Sequence, residues 1–467
     1  VIIALKIKNE AKYILDVLLN RGYEAYVVGG CVRDSLLNIL KPEEIRDVND
    51  WDICTNALPH DIISIFKYEG HSVIETGIKH GTVTVVVNSG RYEVTTFRVD
   101  GEYGDGRRPD NVEFTSSIEE DLMRRDLTIN AMAYNHKTGL IGAFTIKEHL
   151  RDIQNKTIRF VGNADERIAE DALRILRALR FASKLGFKIS DDSKRAILDN
   201  KELLSNISAE RIQSELLQIL NGKYAYTILD EYSDIITYII PELKDCINFQ
   251  QRNPHHIYDV YIHTLKAIEH IKDLDAANIK MALLLHDIGK PSTFTLETSE
   301  DGEVGRFLGH PKISRNIAVN ILKRLKFSNK DTENILKLVE YHDNEYPSRP
   351  SIRRAIQKMG KDTFEDLLIL RECDIAGQSK VYRQEKMDKL KVTYDKYNQV
   401  LAQSIQLTTK QLDISGKDLM ELGFKPGKIF SVILNELLDK VINEELNNKH
   451  DDLIQYIKDN LIKQHDV

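Results

Sequence analysis

The sequence predicts an α+β fold: a head with a small mixed sheet over residues 1–155, then a helical neck over 156–225, a helical body over 226–380 and a helical tail over 381–467. Three observations predict it. In the first third, strand-like runs (VVGG at 27–30, TVTVVV at 82–87, RYEVTTF at 91–97) alternate with amphipathic stretches. From about residue 156 onward Leu, Ile, Lys and Glu dominate with helical periodicity. At 467 residues the chain is too long for one compact core, so two to four domains are expected.

Element by element, residues 9–21 (NEAKYILDVLLNR) read as an amphipathic helix. An apolar strand then runs into Gly29-Gly30, and a short helix carries Arg33 and Asp34. A strand with Asp50 and Asp52 flanking Trp51 follows, then a helix at 57–67 and strands near 71–76, 82–88 and 91–98, the last two joined by Asn88-Ser89-Gly90. Residues 99–112 hold three glycines, a proline and four acidic residues and read as a loop. A helix is expected over 117–134, and an almost wholly helical pattern from about 156 onward.

Composition narrows the class. Hydrophobic content of 42% with 29% charged residues suits a globular protein. The net charge of −7 announces no nucleic-acid binder, so an RNA substrate would need a local basic surface. Cys31, Cys54, Cys246 and Cys373 show no CxxC spacing and read as reduced, buried residues of a cytoplasmic protein. No apolar run is long enough to span a bilayer, and no membrane partner is expected.

The chemistry concentrates at 27–55. Alternate residues of a strand share a face, so Asp50 and Asp52 project together while Trp51 and Ile53 point into the core. Paired carboxylates suit Mg²⁺, which takes one or two of them plus substrate phosphates. Gly29-Gly30 and the helix N-terminus leave room for a triphosphate. Together these features point to nucleotidyl transfer. Glu93 is a candidate third carboxylate, or else an edge-strand charge. Arg124, Arg125, Asp126 and Asn130 form a polar run that ends in Ala131-Met132-Ala133, placed to grip ribose and phosphate; alone, it would read as a salt-bridged face.

Further along, Asp171 and Arg174 lie three apart on an expected helix, with Arg177 and Arg180 following. A carboxylate beside a guanidinium complements an amino group beside a ring nitrogen, as in cytosine and adenine. Guanine and uracil present the reverse order and would leave both groups unpaired, at about 1–3 kcal/mol each when buried.

These stretches resemble a known family, the class II tRNA CCA-adding enzymes and bacterial poly(A) polymerases of the polymerase-β-like nucleotidyltransferase superfamily. The resemblance rests on GGCVRD (29–34), DWD (50–52), DGEYGDGRRPDNVEF (100–114), RRDLTINAMA (124–133), IRFVG (158–162), ERIAEDALRILRALRFA (166–182) and SAER (208–211). It implies Asp50 and Asp52 as Mg²⁺ ligands, Arg125 and Asp126 as nucleotide contacts, and Asp171 with Arg174 as the base-reading pair. The activity it implies is addition of C, C and A to the 3′ end of tRNA from CTP and ATP, with release of pyrophosphate. The intact loop at 100–114 argues against a variant adding only the two cytidines. One segment departs from the family: LIGAFTIKEHLRDI stands before IRFVG, with Gly142 where an aspartate is expected. A poly(A) polymerase of the same class is the nearest alternative.

The body carries a second constellation: His263, His286, Asp287, His310, His342 and Asp374, each in an apolar helical setting. Imidazoles with carboxylates suit a divalent transition metal such as Ni, Mn or Co. The pattern resembles the HD phosphohydrolase superfamily. That resemblance implies His263, His286, Asp287 and Asp374 as ligands, with His310 and His342 near substrate or a second metal. It also opens a reading from another class, an HD phosphohydrolase whose head only senses nucleotide; a non-catalytic RNA-binding module fits the net charge least. His255-His256 read as a loop pair. In the tail, glycines 416, 423 and 427 around short helices could hold an RNA phosphate, although helix capping explains them more simply.

Overall fold

The computed structural model describes residues 3–43, 45–100, 112–271, 276–299, 302–402 and 408–462. The core of the predicted loop, 101–111, lies outside the described residues. The chain forms two compact units, Val1–Ile239 and Ile240–Val467.

The first unit is built on a seven-stranded sheet in the order Ser72–Ile74, Thr82–Val87, Gly90–Thr96, Ile53–Thr55, Ala25–Val28, Met132–Asn135, Gly139–Gly142. All neighbours are antiparallel except Ile53–Thr55 and Gly90–Thr96, which run parallel. The strand Ala25–Val28 is buried along its whole length. Thr82–Val87 alternates half-buried and buried residues, as expected for a strand with one covered face. It turns into Gly90–Thr96 through Asn88 and Ser89, both at positive φ (47° and 66°), the signature of a two-residue hairpin turn whose twist matches its strands.

Several predicted elements are corrected. The helix expected over 117–134 stops at Met123. A 3₁₀ turn at Thr128–Asn130 and the strand Met132–Asn135 replace its second half. A short apolar run buried on all sides reads alike as helix or strand. Backbone pairing decides the outcome: Thr128 N–H donates to Arg159 O at 2.9 Å, and Met132–Asn135 pairs with Ala25–Val28 on one side and Gly139–Gly142 on the other. The helix through 166–182 breaks at Asp171, whose φ of −149° and ψ of 102° are extended, so Asp171 and Arg174 do not share one helix face. Neither the neck nor the body is wholly helical: Thr157–Ile158 pairs in parallel with Lys188–Ile189, and Thr295–Ser299 and Gly302–Arg306 pair as a hairpin.

Elsewhere the second unit is helical. Its last segment has a core of its own, including Leu419, Ile433, Leu437, Leu453 and Leu461. Ser415 and Asp418 form a capping box at the helix Gly416–Glu421, in line with capping as the simpler reading of that stretch. Among the described residues no helix is long and apolar enough to cross a membrane. All four cysteines are buried and free.

The departure at Gly142 has a steric cause. A Cβ there would stand 2.9 Å from His149 Nε2 and 3.1 Å from Ile146 Cα. The His149 ring fills that space and braces the fold: Nε2 accepts from Ala143 N–H at 3.0 Å, and Nδ1–H donates to Thr128 O at 2.8 Å. Burial holds its pKa below the ordinary histidine value, with the Thr128 bond opposing. Beside it, Asp152 accepts from Thr128 Oγ1 at 2.8 Å. Restoring the aspartate, Gly142→Asp, therefore overpacks the site. We expect a loss of about 1–3 kcal/mol, read as a lower denaturant midpoint. An unchanged midpoint would show that the imidazole is not what excludes a side chain at 142.

Candidate active site and candidate metal centre

In the first unit the predicted residues gather around a cavity of about 620 Å³ lined by Gly29, Gly30, Arg33, Asp52, Glu93, Arg124, Arg125, Asp126, Asn130, Asp171, Arg174 and Arg177. Asp50 and Arg180 are not among its lining residues. Arg180 instead pairs with Glu215 at 3.0 Å and donates to Gln218 at 2.8 Å.

The cavity floor is the turn that ends the central strand. Gly29, at φ 80° and ψ −128°, occupies a conformation that favours glycine, and it caps the helix Gly30–Leu40. Arg125 Nη1 stands 3.3 Å from where a Cβ at Gly29 would lie, so a side chain there would crowd the guanidinium. Arg33 is buried, donates to Asn130 Oδ1 at 2.6 Å and forks onto Asp34 at 2.8 and 2.9 Å. The segment Arg124–Asn130 is thus tied to the glycine turn despite its separation in sequence.

The strand expected to carry both aspartates begins only at Ile53, so Asp50 and Asp52 precede the strand Ile53–Thr55; Trp51 and Ile53 are buried as expected. Burial, then the charges of Asp50 and Glu93, push the Asp52 carboxyl up to about 6, against Arg125. Asp50 therefore acts on Asp52 electrostatically, although it lines no wall of the cavity. Carboxylates that destabilise one another in this way fit a divalent cation.

The arginines are held by carboxylates. Buried Asp121 takes Arg124 at 3.1 Å and Arg125 at 3.3 Å. Burial would raise the Asp126 carboxyl, but Arg177, bound at 2.6 Å, and Arg174 hold it below the ordinary range. Asp171 accepts Leu173 N–H at 3.1 Å and Arg211 at 2.7 Å. Arg174 binds Glu170 and donates to Arg124 O at 3.2 Å. Seven arginines and four carboxylates line the cavity, supplying the local basic surface that the net charge lacks. Sequence reasoning missed Asp121, Arg211 and Phe181. The Phe181 ring lies in the cavity wall with the guanidiniums of Arg180 at 4.5 Å and Arg33 at 5.1 Å. Asp121 had a signal, an acid three and four residues before an Arg pair.

The second unit brings all six predicted residues of its constellation together. Asp287 Oδ2 lies 3.2 Å from His286 Nε2 and 3.5 Å from His263 Nε2; its Oδ1 lies 3.2 Å from His310 Nε2 and 3.7 Å from His342 Nε2. Asp374 Oδ1 lies 2.8 Å from His263 Nε2. Two triads, His263–His286–Asp287 and Asp287–His310–His342, thus share one carboxylate.

The outer ring nitrogens test whether a metal fits. His263, His286, His310 and His342 each place Nδ1 on a backbone carbonyl, of Gly377 (3.3 Å), Leu283 (2.6 Å), Phe307 (2.9 Å) and Val339 (2.8 Å). A carbonyl only accepts, so each Nδ1 carries the proton and Nε2 turns its lone pair inward. His310 Nε2 and His342 Nε2 face each other at 3.2 Å, and burial, then His286, pushes His342 down to about 3. His286 Nε2 is buried and faces Asp287 Oδ2, which also takes the Lys290 ammonium at 2.6 Å. Facing imidazole lone pairs around a shared carboxylate are a donor set that could hold a divalent cation. His256, expected to be a loop residue, lines the same cavity with its ring 5.0 Å from that of His263. Nothing in its sequence context marks it, because only the fold returns the loop to the site.

Comparison with known proteins agrees with this geometry. Residues 25–159 match the family described as "Poly A polymerase head domain", residues 186–247 "Probable RNA and SrmB- binding site of polymerase A", and residues 298–457 "tRNA nucleotidyltransferase domain 2 putative". The CCA-adding enzyme of Ligilactobacillus salivarius is 35% identical over 454 residues, 96% of each chain. That of Geobacillus stearothermophilus is 46% identical over 217 residues, 46% of this chain and 50% of its own. Among solved structures, the Bacillus stearothermophilus CCA-adding enzyme in complex with CTP superimposes with a TM-score of 0.70 at 28% identity, covering 98% of this chain and all of that one. The Thermotoga maritima CCA-adding enzyme complexed with tRNA, 19% identical with a TM-score of 0.56, shares the fold. With a relative of this identity aligned along nearly its whole length, and with the head built as that relationship requires, the chain belongs to the family of CCA-adding enzymes, the tRNA nucleotidyltransferases.

Proposed function

We propose that this chain adds C, C and A, in that order and without a nucleic-acid template, to the 3′ end of tRNA in the cytoplasm, consuming CTP and ATP and releasing pyrophosphate. One observation carries the reading: Asp171 and Arg174 stand on the wall of the cavity that holds the Gly29 turn, Asp52 and the arginine cluster. In this reading Asp52, with Asp50 and Glu93, holds Mg²⁺, which when bound supplies positive charge for the attacking 3′-hydroxyl and the departing pyrophosphate. Gly29, Gly30, Arg33 and Arg125 seat the triphosphate, while Arg124, Asp126, Asn130 and Arg177 orient the sugar and the base-reading pair. Arg180 supports the wall through Phe181 and Glu215. The division of labour follows 1–155 as head, 156–225 as base-reading neck, 226–380 as body and 381–467 as tRNA-contacting tail.

Incubation with tRNA lacking its 3′ end tests this directly. The expected products are C, C and A additions that then stop, with no incorporation of GTP or UTP; long adenylate ladders would make the chain a poly(A) polymerase. Asp52→Asn should lower addition by several orders of magnitude while tRNA binding persists, and near-normal turnover would remove Asp52 from the metal site. Asp171→Ala and Arg174→Ala should each weaken discrimination against UTP about ten- to hundred-fold, more than they slow chemistry. A uniformly lower rate with intact selectivity would make the pair structural.

We infer a second activity for the second unit, carried by the two triads that share Asp287. In this reading Ni²⁺, Mn²⁺ or Co²⁺ held there supports hydrolysis of 2′,3′-cyclic or terminal phosphates, groups that would block nucleotide addition to a tRNA end. His286→Ala or Asp287→Ala should abolish hydrolysis of a 2′,3′-cyclic nucleotide and leave nucleotide addition intact. No hydrolysis by the parent chain with any of these metals would reduce the cluster to a structural site.

A further inference from the structure

The cavity beside the second unit's metal centre measures about 690 Å³, room for a nucleoside phosphate. Three cations line it, Lys290, Arg306 and Lys386. Two are neutralised: Lys290 pairs with Asp287 at 2.6 Å, and Arg306 with Glu297 across the hairpin at 3.0 Å. Lys386 differs. Its Nζ donates to the neutral amide oxygen of Gln378 at 2.5 Å, and among the described residues it forms no ion pair with a carboxylate.

Gln378 is itself fixed. It is buried, and its Nε2 donates to Asp374 Oδ2 at 3.1 Å, so its oxygen must face the lysine. The same contact leaves Asp374 Oδ1 for His263. The Lys386 ammonium is therefore held at a set distance from the metal ligands with one of its three N–H groups used. Half-buried, and offset only through space by the charges of Asp374 and Asp343, it bears a desolvation cost that an anion in the cavity would relieve. At the rim, Phe307 and the 92% exposed Leu308 offer an apolar face suited to a base.

We propose that Lys386 is the phosphate anchor of this cavity and that the cavity takes a nucleoside phosphate, its phosphate between the metal centre and Lys386 and its base on the Phe307–Leu308 step. The assignment rests on the phosphohydrolase reading of that centre, and a binding measurement separates the two. Nickel-loaded full-length protein is titrated calorimetrically with inorganic phosphate, in the parent chain, Lys386→Gln and Lys386→Arg, with bound nickel and nucleotide addition measured alongside. Lys386→Gln should weaken phosphate binding about ten- to hundred-fold with nickel content and nucleotide addition unchanged, and Lys386→Arg should retain most of the affinity. Equal phosphate affinity in the parent and Lys386→Gln, or no phosphate binding by the parent, would overturn the anchor. Phosphate binding that depends on Lys386 in a protein that hydrolyses no phosphoester would support the anchor and overturn the phosphohydrolase reading.

Discussion

The position of the strand Ala25–Val28 is the constraint on which the first unit depends. It pairs on one side with Ile53–Thr55 and on the other with Met132–Asn135. At its end, Val28 N–H donates to Asp52 O at 3.0 Å and Gly29 N–H to Met132 O at 3.1 Å. Those two bonds bring the glycine turn, the carboxylate of Asp52 and the polar run ending at Asn130 to one edge of the sheet. A one-residue slip would exchange the two faces of the strand and separate all three. The register is held from both sides at once, by pairing of Ala25 with Thr55 through Val27 with Ile53 and of Val27 with Tyr134 and Val28 with Ala133.

Around that edge, charge is arranged by pairing. Asp121 holds two guanidiniums, Asp126 one, and Asp171 another supplied by the helix Ala209–Leu220. Removing one member of a buried pair typically costs about 3–5 kcal/mol, because its partner is left uncompensated. The carboxylates thus keep the arginine forks in place before any phosphate arrives, and less order has to be imposed on binding. The second unit obtains a similar result with the main chain, where four backbone carbonyls orient four imidazoles.

Much of this was legible in the sequence, for identifiable reasons. Gly29, Asp52, Arg125 and Asp126 lie in short runs dense with unusual residue types, and the histidines of the body stand out against apolar helices. What escaped depends on contacts distant in the chain. The break at Asp171 is invisible because its neighbours all favour helix, and only the Leu173 N–H and Arg211 contacts show how the extended residue is held. The strand Met132–Asn135 was hidden because an apolar run enclosed on both faces carries no period. Phe181 meets Arg33 from far earlier in the chain, and His256 reaches the site on a returning loop, which no local pattern records.

Gly142 and His149 are bound together in space. The imidazole occupies the volume that any side chain at 142 would need, and two buried backbone groups depend on its nitrogens. A chain that gains a residue at 142 while keeping the histidine is crowded, and one that loses the histidine while keeping the glycine leaves a void with Ala143 N–H and Thr128 O orphaned. Each single step is unfavourable, so the two positions are expected to exchange only as a couple. Lineages are therefore expected to carry one pairing or the other, with few intermediates between them.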